Sequence, residues 1–134
     1  MGTIVFDSEA LTAFARNHVL RAAVGLLLDE GWDVHVPAVI LAESTTGRPR
    51  EDVTTHRTLR RFGTVMTSQA TAHYAGVMRA RSARAGRSLP SGIDALVAAH
   101  GALTPGASVI FTSDAPHLRA LVREHPRVSV RRVP

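Results

Sequence analysis

The alternation of apolar and polar positions divides the chain into short apolar runs separated by longer amphipathic stretches. Ile4-Val5-Phe6 is a buried-strand run with two β-branched residues, and Asp7-Ser8 behind it predicts the turn and N-cap of a short helix reaching about Ala15. Asn17 predicts the cap of a second helix to Glu30, with Val19, Ala22, Ala23, Leu26 and Leu27 as its inward stripe and Gly31 as its stop. Asp33-Val34-His35-Val36 reads as a second strand. Pro37 then opens a helix over 38–44 that is apolar nearly all round until Glu43.

Thr46-Gly47-Arg48-Pro49-Arg50 is a loop, followed by a helix over 51–61, a short strand Thr64-Val65-Met66, and a long helix from the cap Ser68 to Ala85. That helix is expected to bury Ala72, Ala75, Val77 and Met78 and to turn Arg79, Arg81 and Arg84 outward. A second loop, Gly86 to Pro90, precedes a helix opened by Ser91, whose stripe is Ile93, Leu96, Val97 and Leu103. Ser108 to Thr112 is the clearest strand. Ser113-Asp114 starts a last helix to about Glu124, and Val128-Ser129-Val130 is a terminal edge strand. Strands separated by helices predict one α/β domain over 1–134: a mainly parallel sheet of four or five strands with helices on both faces.

Composition narrows the chemistry. There is no cysteine, so disulfides and thiolate metal sites are excluded. All 16 basic residues are arginine, which excludes a Walker-type Gly-Lys loop, a Schiff-base enzyme and lysine-assisted aspartyl-phosphate chemistry. No apolar run is long enough to span a bilayer and no signal-peptide pattern is present, so the expectation is a soluble, cytoplasmic protein without a membrane partner. The formal charge of +5 permits a polyanionic partner.

Four acids stand out by position. Taken singly, Asp7 and Asp114 read as helix caps, and Asp94 as the acid of a Ser91-x-x-Asp94 capping box. Glu43 ends a helix whose other residues are apolar, where an acid is costly without a partner. Taken together they converge. Asp7 and Asp114 each follow a strand directly, Asp94 opens the helix that leads into the second of these strands, and Glu43 follows the neighbouring strand by about two turns. Carboxylates gathered without a basic partner persist best around a hard divalent cation, and oxygen-only ligands select Mg²⁺ or Mn²⁺.

Ile-Val-Phe-Asp7-Ser-Glu-Ala-Leu, Ile-Leu-Ala-Glu43-Ser, Ile-Asp94-Ala-Leu-Val-Ala-Ala and Phe-Thr-Ser-Asp114-Ala-Pro-His-Leu, in this order, resemble the PIN domain, and specifically the VapC-type toxins of toxin–antitoxin pairs. The resemblance covers essentially the whole chain. It implies a three-layer PIN-like fold and a magnesium-dependent endoribonuclease, with Asp7, Glu43, Asp94 and Asp114 holding Mg²⁺ (or Mn²⁺) and Thr112 orienting a carboxylate or a water. It also implies a VapB-like antitoxin, an RNA substrate and a symmetric homodimer. Two positions depart from the family: Glu9 stands where a small hydroxyl residue is common, and Pro116 where a further acid often lies.

Sixteen arginines against the seven remaining acids make the rest of the surface strongly positive, and Arg48, Arg50 and Arg87 on the two loops are the residues expected to grip RNA phosphates. Two other readings compete: a catalytically silent PIN-like module that binds RNA or protein, and a metal-dependent phosphatase. The second is weakened because Asp7-Ser8-Glu9 has Glu where an Asp-x-Asp pattern needs its second Asp, and because no lysine is available.

Overall fold

A computed structural model describes residues 1–134. Four strands form one sheet: β1 (Gly2–Phe6), β2 (Asp33–His35), β3 (Ala107–Thr112) and β4 (Val128–Arg132). Their order is β2-β1-β3-β4 and every pairing is parallel, with Val5 opposite both His35 and Ile110. Strand order therefore reverses between β1 and β3, and a crevice opens beyond their carboxyl ends, where ligands gather in such sheets. Both strands are buried runs, as strands covered on both faces must be. The β1 start is tight. A Cβ on Gly2 would stand 2.6 Å from the Ala107 carbonyl oxygen and from the Trp32 ring.

Helices α2 (His18–Asp29), α3 (Leu41–Ser44) and α4 (Pro49–Phe62) pack around α1 (Ser8–Phe14), and a 3-10 turn (Ala38–Ile40) leads into α3. Helices α5 (Gln69–Arg84), α6 (Gly92–Leu103) and α7 (Ala115–Leu121) pack on one another as a second group. The architecture is the three-layer α/β arrangement expected from the alternation of strands and helices. The caps form as the sequence predicts: Asp7, Asn17, Ser68 and Ser91 each accept a backbone N–H from the first turn of their helix. One core of 25 buried apolar residues fills the molecule, with Phe6, Phe14 and Phe62 meeting at centroid distances of 5.4 to 6.1 Å.

The structure corrects several faces. On α2 the buried residues are Leu20 and Val24, while Val19 and Leu26 of the expected stripe are 49% and 68% exposed. Two stripes one residue apart both have helical spacing, and only one can meet the sheet. On α5 the buried line is Thr71, Ala75, Met78 and Ser82, and Ala72 faces out. Leu103 is also exposed, lying on the last turn of α6. Thr64-Val65-Met66 does not form a strand. Val65 alone bridges Pro37, exchanging hydrogen bonds with Val36 and Ala38, and Met66 points to solvent. The last helix stops at Leu121, short of Glu124. No helix is long and apolar enough to cross a membrane.

Candidate functional site

Asp7 sits where β1 ends, and its backbone N–H still donates to Phe111 of β3 at 3.3 Å, so the residue is fixed by the sheet. Its side chain accepts the Ala10 N–H at 2.8 Å, which is the capping role read from the sequence. It is only 7% exposed. Burial pushes its carboxyl up to about 6, and the negative charges of Glu9 and Asp94 push the same way, against hydrogen bonds from the Thr112 hydroxyl and the Ala10 amide. No cation pairs with it.

Thr112, the last residue of β3, is fully buried beside Asp7. Its hydroxyl also accepts the Asp114 N–H at 3.0 Å, which holds the backbone of the last acid beside the first. Asp94 lies on the first turn of α6, half-buried. The Ser91 hydroxyl accepts its N–H at 3.0 Å, but the Asp94 carboxylate makes no return bond, so the capping box is half built and its acid is free. Asp114 precedes α7 without capping it. Its carboxylate bonds the His117 ring at 2.5 Å, and both side chains are about half exposed. Glu43 stands exposed on α3 with no ion pair.

The carboxyl edge thus brings Asp7, Asp94, Glu9 and Thr112 within mutual influence and places Asp114 next to Thr112 through its backbone. No three acidic or histidine side chains converge closely enough to clasp one ion. Asp7 and Asp94 fit a hard cation of the Mg²⁺ kind, which takes one or two carboxylates and completes its shell with water and substrate oxygens. The donor set is all oxygen and lacks a neutralising base, which is the chemistry such an ion requires.

An open cleft begins at Glu9 and Ser113 and is lined by Thr12, Arg16 and Arg132. A second hollow continues from Thr12 and Arg16 past Ser44 and Thr46 to Thr54 and Thr55. The sequence reading overlooked Arg16, although Glu9, Thr12, Ala13 and Arg16 have the i, i+3, i+4, i+7 spacing of one helix face. Neither Arg16 nor Arg132 pairs with a carboxylate. Of the arginines singled out on the loops, Arg48 pairs with Glu51 at 3.0 Å, Arg50 is exposed and without an ion pair, and Arg87 folds back onto α5. The Thr46–Arg48 turn is built on buried Asp52, which accepts the Thr46 N–H and hydroxyl and the Gly47 N–H. Those bonds, the Thr46 amide foremost, hold its carboxyl below the usual range.

A pairing the sequence did not disclose joins His35 of β2 to His100 of α6, Nδ1 to Nε2, at 2.8 Å. One ring must accept, so the pair holds at least one neutral imidazole, and burial together with the His35 ring keeps His100 below the usual histidine range.

No protein-family model matches the chain, and no curated protein matches it. Solved structures do. A chain of VapBC2 from Rickettsia felis, crystallised with a DNA fragment from the promoter, superposes with a TM-score of 0.73 at 13% identity, over 98% of this chain and 99% of that one. A chain of DNA-bound VapBC from Salmonella typhimurium gives 0.68 at 16% identity, over 98% of both. FitAcB from Neisseria gonorrhoeae gives 0.65 at 18% identity, over 95% of both. With sequence identity so low the likeness is one of architecture, and it extends over nearly all of each chain: this protein has the PIN-like fold of the VapBC and FitAcB structures.

Proposed function

We propose that the chain is the toxin of a VapBC-type toxin–antitoxin pair and a magnesium-dependent endoribonuclease. The observation that carries this reading is Asp7: a buried carboxylate at the strand-order reversal, beside Asp94 and Glu9, with no cation to neutralise it. The near-full-length likeness to chains of VapBC and FitAcB supports the toxin assignment and the antitoxin partner.

In this reading Asp7 and Asp94 hold Mg²⁺, for which Mn²⁺ substitutes, with Asp114 and Glu43 as further acids of the site. The ion supplies charge relief on the phosphoryl oxygens and a lowered pKa for the attacking water. The chain's own groups do the rest. Thr112 holds the Asp7 carboxylate in one orientation and ties Asp114 to it. Arg16 and Arg132 attract the RNA backbone into the cleft, which Thr12 and Ser113 also line. Arg48 and Arg50 add phosphate contacts farther out. Attack by water leaves a 5′-phosphate and a 3′-hydroxyl and makes no use of the substrate's 2′-OH. The functional unit is a symmetric homodimer neutralised by a VapB-like antitoxin.

The test is end-mapping of total RNA after induction of the wild-type chain and of Asp94→Asn. New 5′-phosphate ends in the wild type, reduced by about 10²–10³-fold in the variant, support the reading; that magnitude is typical of losing one charge-stabilising group. Identical RNA ends in both would overturn it. One observation favours a second reading, a catalytically silent RNA- or protein-binding module: Asp7 already serves as a helix cap, and no three ligands converge. Mg²⁺ affinity unchanged in Asp7→Asn would select that module.

A further inference from the structure

The geometry points to a phosphomonoester-binding pocket between α5 and α7, built by Arg81, Arg87 and Arg123. The cavity is more enclosed than the cleft beside Glu9, and neither Asp7, Asp94 nor Asp114 lines it. It stands apart from the carboxylate edge, and the proposal does not depend on RNA cleavage.

The backbone brings Arg87 there by a specific device. Gly86 adopts a left-handed conformation, φ 76°, and the Arg87 N–H then donates to the Ser82 carbonyl at 3.2 Å, which turns the chain back along the end of α5. Arg87 lines the cavity, and its Nε is buried without an acceptor. It is the one buried side-chain polar atom in the protein that lacks a partner. A buried guanidinium N–H left unpaired is costly, and an anion that draws the Arg87 guanidinium toward the cavity supplies the missing acceptor.

The charge of the pocket selects the class of anion. Glu124 is its single carboxylate and already pairs with Arg81 at 3.3 Å, leaving Arg87 and Arg123 without acidic partners. His125 is occupied by the Tyr74 hydroxyl at 2.6 Å. Three guanidiniums against one carboxylate leave two positive charges, which match a phosphomonoester, at about −1.5 to −2 near pH 7, better than a singly charged diester. A recessed pocket also suits a terminal group better than a backbone running through. The shared chemistry has two sources, the phosphate of a free nucleotide and the 5′-phosphate end of an RNA.

Both are tested on the full-length chain in EDTA, which keeps any nuclease activity silent and separates this proposal from the previous one. Calorimetry with adenosine monophosphate and with adenosine is expected to show binding of the phosphate form, weaker by at least about tenfold for the nucleoside and for Arg87→Gln, as for loss of a charge-assisted bond. Arg123→Gln, at an exposed position, carries the same expectation if Arg87→Gln fails to fold. Arg57→Gln, on α4, removes the same charge elsewhere and leaves binding unchanged. Matched oligoribonucleotides with a 5′-phosphate or a 5′-hydroxyl identify the source: a preference for the phosphorylated end assigns the pocket to RNA termini, and equal binding assigns it to free nucleotides. Equal affinity for adenosine and its monophosphate, or an equal loss in Arg57→Gln, overturns the proposal.

Discussion

Asp7 and Asp52 occupy closely matched positions. Each lies at or near the start of a helix, each accepts backbone N–H bonds, and the two are 7% and 4% exposed. Their carboxyls nevertheless move in opposite directions. Asp52 receives three donors from the turn it organises, and these outweigh its desolvation. Asp7 receives the Ala10 amide and the Thr112 hydroxyl, faces Glu9 and Asp94, and ends well above the ordinary value of 3.8, at about 6. Desolvation leads for Asp7, whereas for Asp52 the donors, the Thr46 amide foremost, lead over it. Asp52 is complete as a structural element, whereas Asp7 retains unmet negative charge, which is a reason to look for function there.

The sharpest way to break this comparison is Asp7→Asn, studied in EDTA. Because the folded-state pKa lies above the unfolded one, the native state binds the extra proton between pH 3.8 and about 6, so Asp7 costs nothing below that window and its penalty grows as pH rises through it. A displacement from 3.8 to about 6 corresponds to about 3 kcal/mol. Urea denaturation should therefore find Asp7→Asn more stable than wild type by up to this amount at pH 8, with the two converging near pH 4. A difference independent of pH removes the basis for treating Asp7 as short of donors.

Thr112→Val should have a smaller effect of opposite sign. It strands the Asp114 amide and takes a hydrogen bond from Asp7. The expected loss is about 1–2 kcal/mol at pH 8, and NMR titration of the Asp7 carboxyl should show a further upward move. The smallest effect is expected for Asp52→Asn, since one side-chain oxygen remains to accept the Thr46 donors and the Gly47 bond is what disappears. Here the folded pKa is lowered, so the wild-type advantage is present above pH 3.8 and fades as pH falls through the depressed value. Thermal melts at neutral and at acid pH should show the variant melting below wild type only at the former.

The comparison also marks how far the sequence could be read. The strands were legible because buried parallel strands are continuous apolar runs, and four helix starts because capping is local. Asp7 and Asp94 were noticed for the same reason, each being attached to such a run or cap, whereas Thr112 was singled out only through the family resemblance. Glu43 was noticed for its apolar neighbours, yet the chain leaves it on an exposed turn. What escaped depended on tertiary contact: which of two adjacent stripes α2 buries, the joining of His35 to His100, the hold of His117 on Asp114, and the meeting of Arg16 with Arg132 from opposite ends of the chain. Only Arg16 left a local trace, in its spacing from Glu9. The two loops read as similar phosphate grips prove different, one organised by Asp52 and the other folded back by Gly86.

The strand that carries Asp7 pairs with one lying more than a hundred residues later, Gly2 against Ala107 and Phe6 against Phe111. Contacts of such long range form late in folding and slowly. On the ribosome the consequence is stricter, because the neighbour that orients Asp7 does not exist until Thr112 has been translated. A stalled or truncated product ending before that point has the first acid but no assembled edge, so whatever this edge does, the cell meets it only in chains whose synthesis has passed that residue.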